Sequence, residues 1–204
     1  DAITSGTDNA LIGYQAGTAI TSGVFNTALG SEALKSEDAG GRNVAIGSYA
    51  LTSLNGETSG HNVSVGYESG LSLSNGQYNN FMGSYAGDSI TTGDKNVAIG
   101  HEAASSANSA VANLITIGYQ AGMSAAAGSN VHIGSQSGKS NSGNGFIGIG
   151  LKSGYSNTSG SWNTTLGYFA AYTNTTGAEN TTIGTEAGYN NTGTGNTFLG
   201  YQAG

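Results

Sequence analysis

Cysteine and proline are both absent from this 204-residue chain, and only five lysines and arginines stand against twelve acids, a net charge of −7. Without cysteine there are no disulfides and no thiolate metal sites, so the redox compartment is left open. Five scattered cations make no basic patch, which argues against nucleic acid as a partner, because such binding rests on neutralising phosphates with Lys and Arg. No apolar run reaches the roughly 18 residues that a membrane span needs, so no membrane insertion by this segment is expected. The opening DAITSGTDNA has no charged stretch followed by an apolar one, as an export signal would. It also lacks an initiator methionine, and the chain reads as a piece of a longer or processed one. Large apolar residues are scarce as well. Leu, Ile, Val and Phe make up about 17% of the chain, below the roughly 20% at which disorder becomes a concern. Disorder of that kind also calls for high charge, and it does not produce a strict repeat.

A strict repeat is what the sequence has. Glycine supplies 36 residues, and one set of them recurs as Gly13, Gly30, Gly47, Gly66, Gly83, Gly100, Gly118, Gly134, Gly150, Gly167, Gly184 and Gly200. The steps run from 16 to 19 residues with a mean of 17. A short fixed period predicts a solenoid, whose units bury their apolar faces only by stacking. The residue before each of these anchor glycines is aliphatic, from Ile12 and Leu29 to Ile183 and Leu199, and the residue two earlier is mostly β-branched. That alternation predicts a strand with both columns facing inward. Glycine at this density excludes helix, at about 1 kcal/mol per interior glycine.

Three residues after the anchor, every repeat carries Ala or Ser, from Ala16 and Ala33 to Ala203. Such uniformity requires close packing, and this small-residue face, or else the aliphatic one, is expected to turn toward other copies, with the Ala/Ser column the candidate seam. The next column is glycine except at Leu34, Leu51, Ala104 and Ala171. Asparagine stands four before the anchor in ten repeats; Asn113 and Asn144 are displaced where insertions stretch the strand. Stacked asparagines predict amide ladders, and asparagine, with the glycines that precede it, suits left-handed corners. The expectation is an all-β chain: one parallel β-solenoid or β-roll of about twelve 17-residue coils over residues 1–204. Each coil is a short strand, a tight corner, a second short segment and a polar loop. At about 4.8 Å per strand the rod is about 55–60 Å long. A coil this thin is marginal alone, which predicts a homo-oligomer, a trimer above all.

The units NTALGSEAL, NTTLGYFAAYTNTTGAENT and NTTIGTEAGYNNTGTGNT resemble the 17-residue repeats of tail-fibre-like proteins that end in an endosialidase-type intramolecular chaperone domain. NVAIG, followed by Ala three residues on, is similar to the head repeats of YadA-like trimeric autotransporter adhesins, which are nearer 14 residues. The resemblance spans the whole chain. It implies homotrimeric β-solenoids in extracellular fibres, on a virion or a bacterial cell surface. No catalytic residue is carried over.

The chemistry-bearing residues are sparse. His61, His101 and His132 fall in three different columns, so stacking does not gather them into a metal site. Glu32, Glu68, Glu102 and Glu186 share the column two after the anchor, and tyrosines alternate with the first three. That separates like charges rather than pairing acids for glycoside hydrolysis. No calcium-binding nonapeptide or phosphate loop is present. Six N-x-S/T sequons, at Asn62, Asn157, Asn163, Asn174, Asn180 and Asn190, are expected by chance in so Asn- and Thr-rich a chain. The remaining candidates are aromatic. Tyr155, Tyr172 and Tyr189 each stand five after an anchor and should stack, and Trp162, the single tryptophan, stands five before one. Exposed rings suit a cell-surface glycan. The sequence therefore reads as a structural or adhesive rod, not an enzyme, with no cofactor. A ligand-binding solenoid for glycan or ice is the alternative, and a polysaccharide-cleaving one ranks below it. The ice reading is weakened by placing the Thr164, Thr181 and Thr197 column inward.

Overall fold

The computed structural model describes residues 5–56 and 60–204. Twelve three-residue strands, β1 (Ala10–Ile12) to β12 (Thr197–Leu199), form a single parallel sheet in chain order. Each strand pairs in register with the next, Ala10 with Thr27 and Thr181 with Thr197, so each turn of chain is one coil of a β-solenoid. The strands keep three residues whatever the repeat length, including the 19-residue step from Val44 to Val63 and the 16-residue step from Thr181 to Thr197. Length variation is therefore absorbed in the loops and not, as expected, by stretching strands. The segment after the corner is a run of turns, not a second strand.

Parallel hydrogen bonding continues through those turns. Past the corner, Glu32 N–H reaches Tyr14 O at 2.8 Å and Leu34 N–H reaches Ala50 O at 3.0 Å. The anchor column can only be glycine. Its φ values lie between +122° and +143°. In every coil but the last, an added Cβ would sit 2.3–2.7 Å from the carbonyl of the next anchor glycine.

All positive-φ residues among those described fall in four columns: the anchor, the positions two and four after it, and the position five before it. Apart from Asn113 and Gly195, the corners therefore do not use the asparagines or the glycines ahead of them. They use left-handed residues as varied as Asp8, Phe25, Arg42, Lys95 and Trp162. The glycines ahead of the asparagines serve close approach instead, since a Cβ on Gly23 would lie 2.5 Å from Gly40 O and one on Gly160 2.2 Å from Gly177 O.

The asparagine ladder is present. Asn79 Oδ1 accepts Asn96 N–H at 3.0 Å, and Asn79 Nδ2 donates to Asn62 Oδ1 at 3.2 Å and to Gly93 O at 2.9 Å. Leu114 and Phe146 occupy the ladder position in the two irregular coils, while Asn113 and Asn144 are exposed. Each replacement still donates its backbone N–H to the preceding asparagine, at 3.0 Å and 2.8 Å.

The sheet faces the opposite way from expectation. The middle residue of each strand points inward: Ala28, Ala45, Phe81, Ala98 and His132 are buried. The flanking aliphatic columns point outward, and Leu29, Met82, Ile147 and Leu166 are exposed. The column of Thr164, Thr181 and Thr197 faces outward with them, half-buried to exposed. The uniform Ala/Ser column is no seam between copies. Ala33, Ala50, Ser69, Ala121 and Ser153 are fully buried inside their own coil, against the strand's inner face, where Ser153 Oγ–H donates to Thr165 Oγ1 at 2.7 Å. The walls are too close for two large residues.

That closeness explains the irregular column four after the anchor. Where the strand's middle residue is small, as at Ala28 and Ala45, the position carries Leu34 and Leu51. Where it is Phe81 or His132, Gly87 or Gly138 stands there, and a Cβ would come within 2.7 Å or 2.3 Å of the ring. Seven after the anchor, the buried residue changes along the rod from Ile20, Leu54, Leu73 and Ile90, with Glu37 buried among them, to Asn141, Asn157 and Asn174. The interior thus goes from apolar to amide-bonded, with Asn157 Nδ2 donating to Asn141 Oδ1 at 2.7 Å.

Candidate functional site

Each coil leaves three surfaces for contact: the outer sheet face, the column before the strand, and the columns after the corner. On the last of these, Tyr155, Tyr172 and Tyr189 stack as the spacing requires. Their ring centroids are 5.3 and 5.2 Å apart, with interplanar angles of 14° and 20°. Phe169 packs 4.9 Å from Tyr172, and Lys152 Nζ lies 5.3 Å from the Tyr155 ring and 5.5 Å from Phe169. Near-parallel rings spend their faces on one another, leaving edges and hydroxyls outward, whereas a sugar needs an open face. The stack ends at Tyr189, beside an open hollow of about 230 Å³ lined also by Glu186, Asn190, Gln202 and Gly204.

Trp162 does not join the tyrosines. It precedes its strand, is 65% exposed, and lies over Gly145, where a Cβ would come 2.3 Å from Trp162 Cε3. The structure thus brings together three of the four candidate recognition residues and sets Trp162 apart from their stack.

A second aromatic chain escapes column-by-column reading because it is split between two adjacent columns. Tyr49, Tyr67, Tyr85, His101 and Tyr119 follow one another over five coils with centroids 5.5–6.0 Å apart. Most contacts are edge-to-face, and the last is stacked. The signal was there in the Glu/Tyr alternation two after the anchor, since Tyr67 and His101 adjoin Glu68 and Glu102. The Glu68 carboxylate, hydrogen-bonded to the Tyr67 hydroxyl, holds the phenol proton and pushes its pKa up to about 12, desolvation adding to the effect.

The histidines stand apart. His61 stacks on Tyr78 at 5.0 Å, and His101 lies in the aromatic chain. His132 is wholly buried with Nε2 3.2 Å from Asn141 Nδ2, and burial pushes its pKa down to about 3. Among the described residues no three His, Asp or Glu side chains are grouped to hold a metal ion; Asp1 and Glu57 lie outside them. Asp88 is half-buried beside Glu68 and Glu102, and desolvation pushes its carboxyl up to about 6. Of the six sequon asparagines, five are buried in amide networks and only Asn190 is exposed.

The outer sheet face runs the whole length of the twelve-stranded sheet. One aliphatic residue closes every strand, from Ile12 at 64% exposure to Leu199 at 74%. No protein-family model, curated protein or solved structure matches the chain.

Proposed function

We propose that this chain is a structural and adhesive segment of an extracellular fibre, on a phage virion or a bacterial surface, and that it works as a homotrimer. One observation carries the reading: of the two outward columns of the sheet, the one that closes each strand is aliphatic from end to end, and the other is mostly Val or Ile through the middle of the rod. At about 4.8 Å per strand the face runs about 50 Å, and with its largely polar flanking columns it offers roughly 1,000 Å² of apolar and polar surface together per copy. Monomers rarely leave more than a few hundred Å² of continuous apolar surface in water. About 800 Å² per partner suffices for a standard stable interface. A second copy matches that face in length and chemistry, and three copies around one axis cover all three faces. Backbone ladders without a proline break make the rod stiff, so its length is its function. No catalysis and no cofactor are assigned to it.

The exposed Trp162 supports a subsidiary reading as a contact for a surface glycan, since an indole face can stack on a sugar ring. Ice binding has less support: Thr164, Thr181 and Thr197 face solvent but stand beside Leu166, Ile183 and Leu199 rather than a second threonine rank.

Sedimentation velocity tests the main reading. The parent should run as an elongated particle of three times the 20.2 kDa chain mass. The pair Ile99→Glu and Ile117→Glu should lose the trimer while keeping its β circular dichroism. A folded, monodisperse monomer at tens of micromolar would overturn it.

A further inference from the structure

The aliphatic face is bordered by two rims. One is the left-handed column five before the anchor, exposed in almost every coil; the other is the left-handed column two after it, half-buried in every coil but the last. Within a copy each rim keeps to itself. His61 stacks on Tyr78 and Arg42 sits over Phe25 along the first, while Tyr49, Tyr67 and Tyr85 join along the second. Among the described residues no hydrogen bond, ion pair or ring contact joins one rim to the other.

Yet the two rims complement each other in part of the rod, although pairs such as Phe25 with Glu32 and Gly145 with Lys152 show no match. Lys95 has Glu102 in its own coil, Tyr78 has Tyr85, and Trp162 has Phe169. A cation meets an anion and rings meet rings, although nothing inside one copy brings these residues together. Only the coil of Glu179 and Glu186 sets like charges against each other. Matching between residues that do not touch within a chain is what a contact between copies produces.

We propose that the rims are the lateral seams between neighbouring copies, the rim before the strand on one copy lying against the rim after the corner on the next, coil for coil. This rests on the oligomer proposed above and adds its arrangement. All copies run in the same direction around a common axis, and each seam is heterologous and closes the ring. An antiparallel pairing of two faces would instead set like rims against each other with the coil order reversed, placing Glu32 against Glu186 and leaving Lys95 without its anion. The ion pair at each seam serves orientation more than affinity.

Charge reversal tests the seam. Lys95→Glu places Glu against Glu102, and Glu102→Lys places Lys against Lys95, at every seam of a trimer. Each should raise the dissociation constant of the oligomer by roughly 100-fold at low salt, taking a factor of about five per exposed pair. The loss should shrink in 1 M salt. The doubly reversed chain should return to parental affinity. Glu102 also accepts from Gln120 Nε2 at 2.5 Å, so Lys95→Glu and the doubly reversed chain are the deciding members. A parent that never assembles defeats the trimer itself. An assembled parent whose affinity is unchanged by Lys95→Glu, or a double reversal no better than the single ones, overturns the seam and leaves the trimer standing.

Discussion

Exchanging Phe81 for alanine and Gly87 for leucine puts the thin-coil argument to a quantitative test. The Phe81 ring is fully buried and fills the space between Gly70 and Gly87, whose added Cβ atoms would fall 2.8 and 2.7 Å from it. Phe81→Ala alone opens a cavity and should cost about 3–5 kcal/mol. Gly87→Leu alone drives a side chain into the ring, about 1–3 kcal/mol of overpacking, and adds about 1–2 kcal/mol for a left-handed L-residue. The singles therefore sum to about 6 kcal/mol or more. The double variant recreates the Ala28/Leu34 and Ala45/Leu51 coils, where leucine already takes φ of 52° and 51°. It should lie within about 3 kcal/mol of the parent, a coupling of several kcal/mol between touching residues. Urea unfolding by far-ultraviolet circular dichroism, at one fixed protein concentration, gives the four midpoints. A double variant as unstable as the sum of its parts would refute the reciprocal filling of the coil.

The anchor column separates strain from contact. Gly100→Ala meets both a φ of +129° and Gly118 O at 2.6 Å, whereas Gly200→Ala has a φ of +122° and nothing within 4 Å. The first should cost about 3–5 kcal/mol and the second only the strain of about 1–3 kcal/mol, and equal urea shifts would contradict the stacking. In the ladder, Asn79→Ala removes four hydrogen bonds from a buried network and should cost about 2–4 kcal/mol. Asn144→Ala, on the surface and not left-handed, should stay within about 0.5 kcal/mol. Acid should destabilise the rod through His132. Its folded pKa of about 3 lies below the unfolded value of 6.5, so stability is full above pH 6.5 and falls as pH drops, by about 2 kcal/mol at pH 5. Asp88 opposes this, since its raised pKa makes the fold gain stability as pH falls from 6 to 4, by less than about 1 kcal/mol given its exposure. Urea midpoints at pH 7 and pH 5 should therefore converge in His132→Leu and diverge further in Asp88→Asn.

The period, the strand and the tyrosine stack were legible because each rests on one residue type recurring in one column. The facing of the sheet was not. Aliphatic columns imply burial by habit, but the coil's walls stand too close to hold Ile opposite the fully buried Ala33 or Ala121, so small residues take the interior and the aliphatics turn outward. The left-handed position five before the anchor was hidden for the opposite reason. Backbone hydrogen bonds on either side fix its conformation, and it carries almost any side chain, from Asp8 to Trp162. The aromatic chain from Tyr49 to Tyr119 stayed invisible because it is split between two adjacent columns, and only the stacked coils bring them together.

The account turns on whether the aliphatic face lies against other copies. Because the chain has no cysteine, a single thiol can report on that directly. Ile117→Cys places it in the middle of the face, and Ser106→Cys places it on an exposed loop past the corner. A short bismaleimide should join the Ile117→Cys chains into covalent dimers and leave the Ser106→Cys chains single. Rapid labelling of Ile117→Cys by a monofunctional maleimide, with no cross-linked product, would contradict the covered face.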